Sequence, residues 1–199
     1  KVAAHIESEL GYPVYIKPAN MGSSVGITKA TDKKTLTEGL QLAAKYDRRV
    51  LAEEGINCRE IETAVLGNYN IEASVTGEIV ATDDFYDYDS KYIDDGKPKM
   101  KIPADLPAEI SDKIREYAVK AFGAIDGAGF ARVDFFVTKD TGEIYINEIN
   151  TIPGFTAFSM FPLLWENTGS PYSETIERII RLGYERYNAK NNRKADKSK

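Results

Sequence analysis

Four residues in the second half of the chain have types and spacings suited to chemistry. Arg132 and Asp134 stand two apart in GFARVDFFV. Glu148 and Asn150 stand two apart in EIYINEIN, and Thr151-Ile152-Pro153-Gly154 follows directly. Both stretches are rich in β-branched and aromatic residues, and KDTG (Lys139–Gly142) between them reads as a hairpin turn. Side chains alternate along a strand. Arg132, Asp134 and Phe136 are therefore expected on one face of the first strand, with Ala131, Val133, Phe135 and Val137 on the other. In the returning strand, Ile146, Glu148 and Asn150 are expected on one face. Pairing across the turn would collect two carboxylates and an amide oxygen. Hard oxygen donors of this kind suit Mg²⁺ or Mn²⁺, and Mg²⁺ commonly adds substrate phosphates to one or two carboxylates. Carboxylates this close repel unless a cation neutralises them. Arg132 can do that, and can also grip a phosphoryl group with two N–H donors. A solvated polar face is the plainer reading of any one of these residues. The combination R-x-D, E-x-N and T-x-P-G is harder to reconcile with it.

Two further segments carry recognisable chemistry. KPANMGSSVG (Lys17–Gly26) leaves a strand with a lysine at its end and enters a run of glycine and small hydroxyls. Backbone N–H groups there can approach an anion. The order differs from the P-loop, because the lysine precedes the glycines and a strand follows. A hairpin connection and a phosphate cradle both fit, and an accompanying metal site favours the cradle. In VLAEEGINCREIE (Val50–Glu62), Glu53 and Glu54 end a strand before Gly55. Such a carboxylate, with its neighbouring backbone groups, can read an adenine amino group and a ribose; two surface glutamates fit equally.

The chain alternates helix, strand and loop signals. Helices are expected over 2–10, from a cap at Thr31 or Asp32 to Tyr46, from Pro107 to Phe122 with Ile110, Ile114, Tyr117 and Ala121 as its stripe, around 161–167, and over 173–187. Strands are expected at 12–17, 26–29, 50–54 and 59–67, with a strand–Gly turn–strand over 70–80. Residues 83–103, rich in Asp, Lys and Tyr, lack a period and read as a long loop. Mixed helices and hairpins argue for an α+β fold. At 199 residues, with 42% hydrophobic and 29% charged, the chain can bury one core or two small ones. A net charge of −5 argues against nucleic acid as a partner. His5 is the only histidine and Cys58 the only cysteine. That disfavours a Ser-His-Asp triad or multi-His zinc site, excludes an internal disulfide and fits a reducing cytoplasmic setting. No run of about 18 apolar residues suggests a membrane span. The chain opens KVAAHIESEL without an initiating methionine, so an absent N-terminal part is expected.

Taken together, KPANMGSSVG, YDYDSKY (Tyr86–Tyr92), GFARVDFF and NEINTIPGFTAFSMFP (Asn147–Pro162) resemble the ATP-grasp ligases of the D-alanine–D-alanine ligase family, from about Tyr12 to Tyr187. The resemblance implies an ATP-grasp fold: the end of a central subdomain over 1–53, holding the phosphate loop 17–26, then a C-terminal subdomain over 54–199. The latter would have a mainly antiparallel sheet with flanking helices, an omega loop at 83–103 and a metal hairpin at 129–154. It implies that Lys17 contacts the ATP phosphates, Glu53, Glu54, Gly55 and Ile56 hold adenine, Glu60 holds the ribose, and Lys91 and Phe136 belong to the nucleotide set. It implies that Ser23 closes over the reaction centre beside Tyr92, a lid residue, and that Arg132 stabilises the acyl phosphate and tetrahedral intermediate. Gly154 would contribute a backbone N–H to an oxyanion hole, and Ser159 and Met160 would receive the carboxylate of a second D-alanine. Asp134, Glu148 and Asn150 would ligate two Mg²⁺ (or Mn²⁺) ions, with Glu148 bridging.

The implied activity is ATP-dependent joining of two D-alanines through an acyl phosphate, for peptidoglycan precursors, by a cytoplasmic enzyme that is a homodimer when full length. The family's N-terminal domain is not represented, so the chain alone is expected to be inactive. D-alanine–D-lactate ligases are the nearest alternative, disfavoured by Tyr92 where they tend to carry His or Phe. A nucleotide-binding module with decayed catalytic parts, and a plain structural protein, explain fewer of these residues.

Overall fold

The computed structural model describes residues 1–22, 24–80 and 99–192. The described residues fall into two compact units, one over Lys1–Asn57 and one over Cys58–Val80 together with Met100 onward.

In the first unit, α1 (Val2–Leu10) precedes β1 (Val14–Pro18), β2 (Thr28–Ala30), α2 (Lys33–Tyr46) and β3 (Val50–Glu54). The strands form an antiparallel sheet in the order β2-β1-β3. Asp32 starts α2: its carboxylate accepts from the Thr35 N–H at 2.8 Å, and Thr35 Oγ1 accepts from the Asp32 N–H at 3.1 Å. This reciprocal box satisfies donors that the first helical turn would leave unpaired. Alternate residues of β1, Val14 and Ile16, then meet Leu36 and Ala43 of α2 in a closed core, joined at its edge by Ile6 and Leu10 of α1.

The second unit contains β4 (Cys58–Gly67), β5 (Glu72–Val80), β6 (Lys99–Lys101), α3 (Ala108–Ala124), β7 (Gly129–Thr138), β8 (Ile144–Asn150), α4 (Met160–Asn167) and α5 (Tyr172–Asn191). Its sheet runs β6-β5-β4-β7-β8, with β4 antiparallel to β5 and β7, and β7 antiparallel to β8. On one face, Ile61, Val65, Ala131, Val133, Phe135 and Val137 pack on Ile114, Ala118 and Phe122 of α3. Arg59 closes the end of this face with a fork onto Glu78 (2.7 and 2.6 Å) and a third bond to the Asp105 carbonyl. The other face is apolar at one end, where Ala64, Leu66 and Phe130 meet Met160, Phe161, Leu164 and Trp165 of α4.

Several expectations change. Residues 72–80 form one continuous strand rather than two around a turn, because Gly77 lets α4 sit close: a Cβ there would lie 2.8 Å from Met160 Sδ. Of the long loop expected over 83–103, residues 83–98 lie outside the described residues, and Lys99–Lys101 is an edge strand. The Ala104 N–H also bonds to the Thr76 carbonyl at 2.8 Å. The buried stripe of α3 is Ile114, Ala118 and Phe122, one position on from Tyr117 and Ala121, and Tyr117 is exposed. Among the described residues, no helix is long and apolar enough to cross a membrane.

Candidate functional site

The polar residues gather on the second face of the sheet, at the end α4 leaves uncovered. Three adjacent strands supply them in register. Across β4, β7 and β8, Ala64, Arg132 and Asn150 form one row, and Glu62, Asp134 and Glu148 the next. Beyond them, Glu60 pairs with Phe136 and Phe136 with Tyr145. The expected pairing of Asp134 with Glu148 is therefore present, and Glu60 and Phe136 belong to the same patch.

Ile146 does not share that face. The β7–β8 register shifts between Asp134 and Phe135, so that Glu148 opposes Asp134 but Ile146 opposes Phe135. Asn147 is the extra residue of a β-bulge, which reverses the alternation on one side of it. Tyr145 takes the position that strict alternation had assigned to Ile146.

Arg132 is the centre of the cluster. Its Nε donates to Asp134 Oδ1 and its Nη2 to Asp134 Oδ2, both at 2.7 Å. Glu62 Oε2 lies 3.0 Å from the same Nε. Asn150 Nδ2 donates to Asp134 Oδ2 at 2.9 Å and to Glu148 Oε1 at 3.0 Å. Burial alone would pull the guanidinium pKa down, but the hydrogen bonds to Asp134 and the charges of Glu62, Asp134 and Glu148 outweigh it and raise it. Arg132 stays charged. Burial pushes the Asp134 carboxyl up, Arg132 opposes that, and Glu148 adds to it. Three carboxylates around one arginine leave excess negative charge, which is what a divalent cation neutralises.

The loop after β8 is anchored by aromatic packing. Phe155 lies 5.4 Å from Phe161 and 6.2 Å from Phe130, ring centre to ring centre, and its carbonyl accepts from Tyr172 Oη at 3.1 Å. This brings Gly154 beside Ser159, where a Cβ on Gly154 would stand 3.1 Å from Ser159 Oγ. Ser159 Oγ accepts from the Thr156 N–H at 2.9 Å and precedes the first turn of α4. The Met160 side chain is buried in the core. What Met160 can offer a ligand is thus its main chain at the helix start, a position suited to a carboxylate.

In the first unit, Lys17 Nζ lies 2.7 Å from Glu53 Oε1, so two residues assigned to different parts of a nucleotide form an ion pair. Glu54 is exposed at the end of β3, and Gly55 donates to the Pro13 carbonyl at 2.8 Å just before Ile56. Gly26 has φ +75°, and a Cβ there would strike Tyr46 and Pro18, so only glycine closes the Lys17–Gly26 loop in this way. Ser23, Lys91 and Tyr92 lie outside the described residues.

Glu62 is the residue that motif reading missed. The signal was available: a glutamate within REIETAVLG at the same alternation as Glu60, inside an otherwise apolar run.

A family model described as D-ala D-ala ligase C-terminus matches residues 1–181. The chain belongs to that family. Its fold is accordingly the ATP-grasp α+β fold. Curated relatives include D-alanine–D-alanine ligases from Acetivibrio thermocellus, 58% identical over 187 residues, and from Lactococcus lactis subsp. lactis, 52% identical over 193 residues. Those alignments take in 94% and 96% of this chain but 50% and 55% of the relatives, so the chain spans about half their length. Among solved structures, the D-alanine–D-alanine ligase from Coxiella burnetii matches with a TM-score of 0.83 at 32% identity, over 96% of this chain and 49% of that one. The VanG D-Ala:D-Ser ligase from Enterococcus faecalis matches with a TM-score of 0.79 at 40% identity, over 90% of this chain and 52% of that one.

The donor set of this family member fits a divalent cation. Asp134 and Glu148 would supply carboxylate oxygens, and the Asn150 amide touches both. Asn150 presents Nδ2 to both carboxylates here; turned over, its amide would offer Oδ1 as a third oxygen of the hard type that Mg²⁺ prefers.

Proposed function

We propose that the chain is half of an ATP-dependent ligase that joins two D-alanines into D-alanyl-D-alanine. The observation that carries this is the in-register row Glu62–Asp134–Glu148 beside Arg132, in a chain of the D-ala D-ala ligase C-terminus family.

The carboxylate of one D-alanine is a poor electrophile. Transfer of the ATP γ-phosphoryl group to it gives an acyl phosphate and ADP, which supplies a leaving group. The amine of the second D-alanine then attacks the acyl carbon, and phosphate departs. Phosphoryl transfer is catalysed mainly by positioning and charge stabilisation. Arg132 presents N–H donors to the transferring group and the tetrahedral intermediate, and the Gly154 N–H supports the developing oxyanion. Asp134, Glu148 and Asn150 would hold Mg²⁺ or Mn²⁺, which when bound neutralises phosphate charge. Lys17 is proposed for the ATP phosphates, Glu53 to Ile56 for adenine, and Glu60 with Phe136 for the ribose and base. Ser159 and the Met160 main chain are proposed for the second carboxylate. Ser23, Lys91 and Tyr92 keep their proposed roles in closing over the reaction. A cytoplasmic homodimer making peptidoglycan precursors is the setting this reading implies.

The test is the full-length protein with ATP, Mg²⁺ and D-alanine, with the dipeptide detected directly. The expected result is one dipeptide per ADP; ATP turnover without dipeptide sinks the reading. The 199-residue chain alone is expected to give none. A second reading is favoured by the 40% identity to a D-Ala:D-Ser ligase: the second substrate is D-serine. Competing D-alanine with D-serine and with D-lactate in the same assay decides between them by the mass of the product.

A further inference from the structure

We propose that Glu62 is a positioning residue that holds Arg132 when a divalent cation takes Asp134. In the structure, both Asp134 oxygens are committed to Arg132, and Oδ2 also accepts from Asn150. A cation at Asp134 competes with Arg132 for these oxygens and weakens the fork by drawing their charge. Arg132 is then a mostly buried charge, with 22% of its side chain exposed, whose hold on Asp134 is reduced. A buried arginine deprived of its carboxylate is costly, and left alone it competes with the cation to regain it.

Glu62 removes that competition. It sits in β4 directly across from Asp134 and is 8% exposed. A carboxylate buried to that degree needs a counter-charge. Its Oε2 is 3.0 Å from Arg132 Nε, whose hydrogen is directed at Asp134 in this state. Glu62 thus meets the guanidinium as a charge now, and accepts its hydrogen bond after a small rotation once Asp134 turns to a cation. Ala64, opposite Arg132, presents no bulk against that movement. Glu62 acts through Arg132 and not as a ligand of the cation.

This inference rests on the reading of Asp134, Glu148 and Asn150 as cation ligands, and its test separates the two. Mn²⁺ alone is titrated into the full-length protein and free Mn²⁺ is followed by electron paramagnetic resonance. The proteins compared are wild type, Asp134→Ala, Glu62→Gln, Arg132→Ala and the double variant Glu62→Gln/Arg132→Ala. Glu62→Gln is expected to weaken Mn²⁺ binding roughly tenfold in the Arg132 protein, and at most about twofold once Arg132 is alanine, since coupled residues fail to add. Equal weakening in both backgrounds overturns the inference, because Glu62 would then act on the cation directly. No weakening in either also overturns it, leaving Glu62 a structural residue. Mn²⁺ binding that survives Asp134→Ala overturns the cation-site reading itself and the inference with it. Should Glu62→Gln fail to fold, Glu62→Asp replaces it: the charge remains, the reach is one methylene shorter, and several-fold weakening is expected only while Arg132 is present.

Discussion

The two faces of β7 differ by one residue in sequence and by almost everything in environment. Ala131, Val133, Phe135 and Val137 face α3 and are buried in hydrocarbon. Arg132 and Asp134 face the other way and are also largely buried, yet among charges. The first face shows how the unit is held together. The second shows that burial of charge is tolerated when each group is the other's partner, an arrangement that yields little net stability. On the proposed function, the α3 face and the α4-covered end of the other face serve folding and the polar end serves chemistry, and substitutions should separate them.

Phe135→Ala removes a ring from the α3 face and is expected to cost about 3–5 kcal/mol of unfolding free energy. Denaturant unfolding measures it, and whatever fraction stays folded should keep its turnover per molecule. A loss of turnover in the folded fraction would blur the comparison. Gly77→Val tests the covered end of the second face. Its side chain must enter space held by Met160 and Leu164, and overpacking of this kind costs about 1–3 kcal/mol. A thermal melt unchanged from wild type would mean that α4 gives way freely.

The first unit offers a contrast in exposure. The Lys17–Glu53 pair has 24% and 42% of its side chains exposed, so Lys17→Met is expected to change stability by about 1 kcal/mol or less. Nucleotide affinity in the full-length protein should nevertheless fall clearly by calorimetry. Intact affinity would restrict Lys17 to the ion pair. The smallest effect concerns Asp32. The Thr35 N–H, first among its hydrogen bonds, holds the Asp32 carboxyl below its usual value. A depressed pKa stabilises the fold above the unfolded-state value, and that stability is lost as pH falls through the folded-state value. The melting temperature of wild type should therefore exceed that of Asp32→Asn at neutral pH and converge with it in acid. A constant gap would contradict the assignment.

Much of this arrangement was legible in the sequence, for local reasons. The helix start at Thr31 or Asp32, the hairpin around KDTG and the alternation of β7 each depend on residues close in the chain. What was misread depends on distant partners. Gly77 resembles a turn until Met160 is known to lie over it. The α3 stripe is offset by one because Phe122, not Tyr117, reaches the sheet. The bulge at Asn147 breaks a strict period of two and moves Ile146 off the polar face. The alternation of β4 marks Glu62 as polar on the face of Glu60, but what places it beside Asp134 is the pairing of β4 with β7, across some seventy residues, which local pattern does not give.

The claim that the polar face does the chemistry is tested most directly by Asp134→Ala in the full-length protein. Its rate of dipeptide formation from ATP, Mg²⁺ and D-alanine would be compared with wild type after circular dichroism confirms the fold. The account predicts a loss of roughly 10²-fold or more, the scale of removing a transition-state contact. A folded Asp134→Ala protein within a few-fold of the wild-type rate would contradict it.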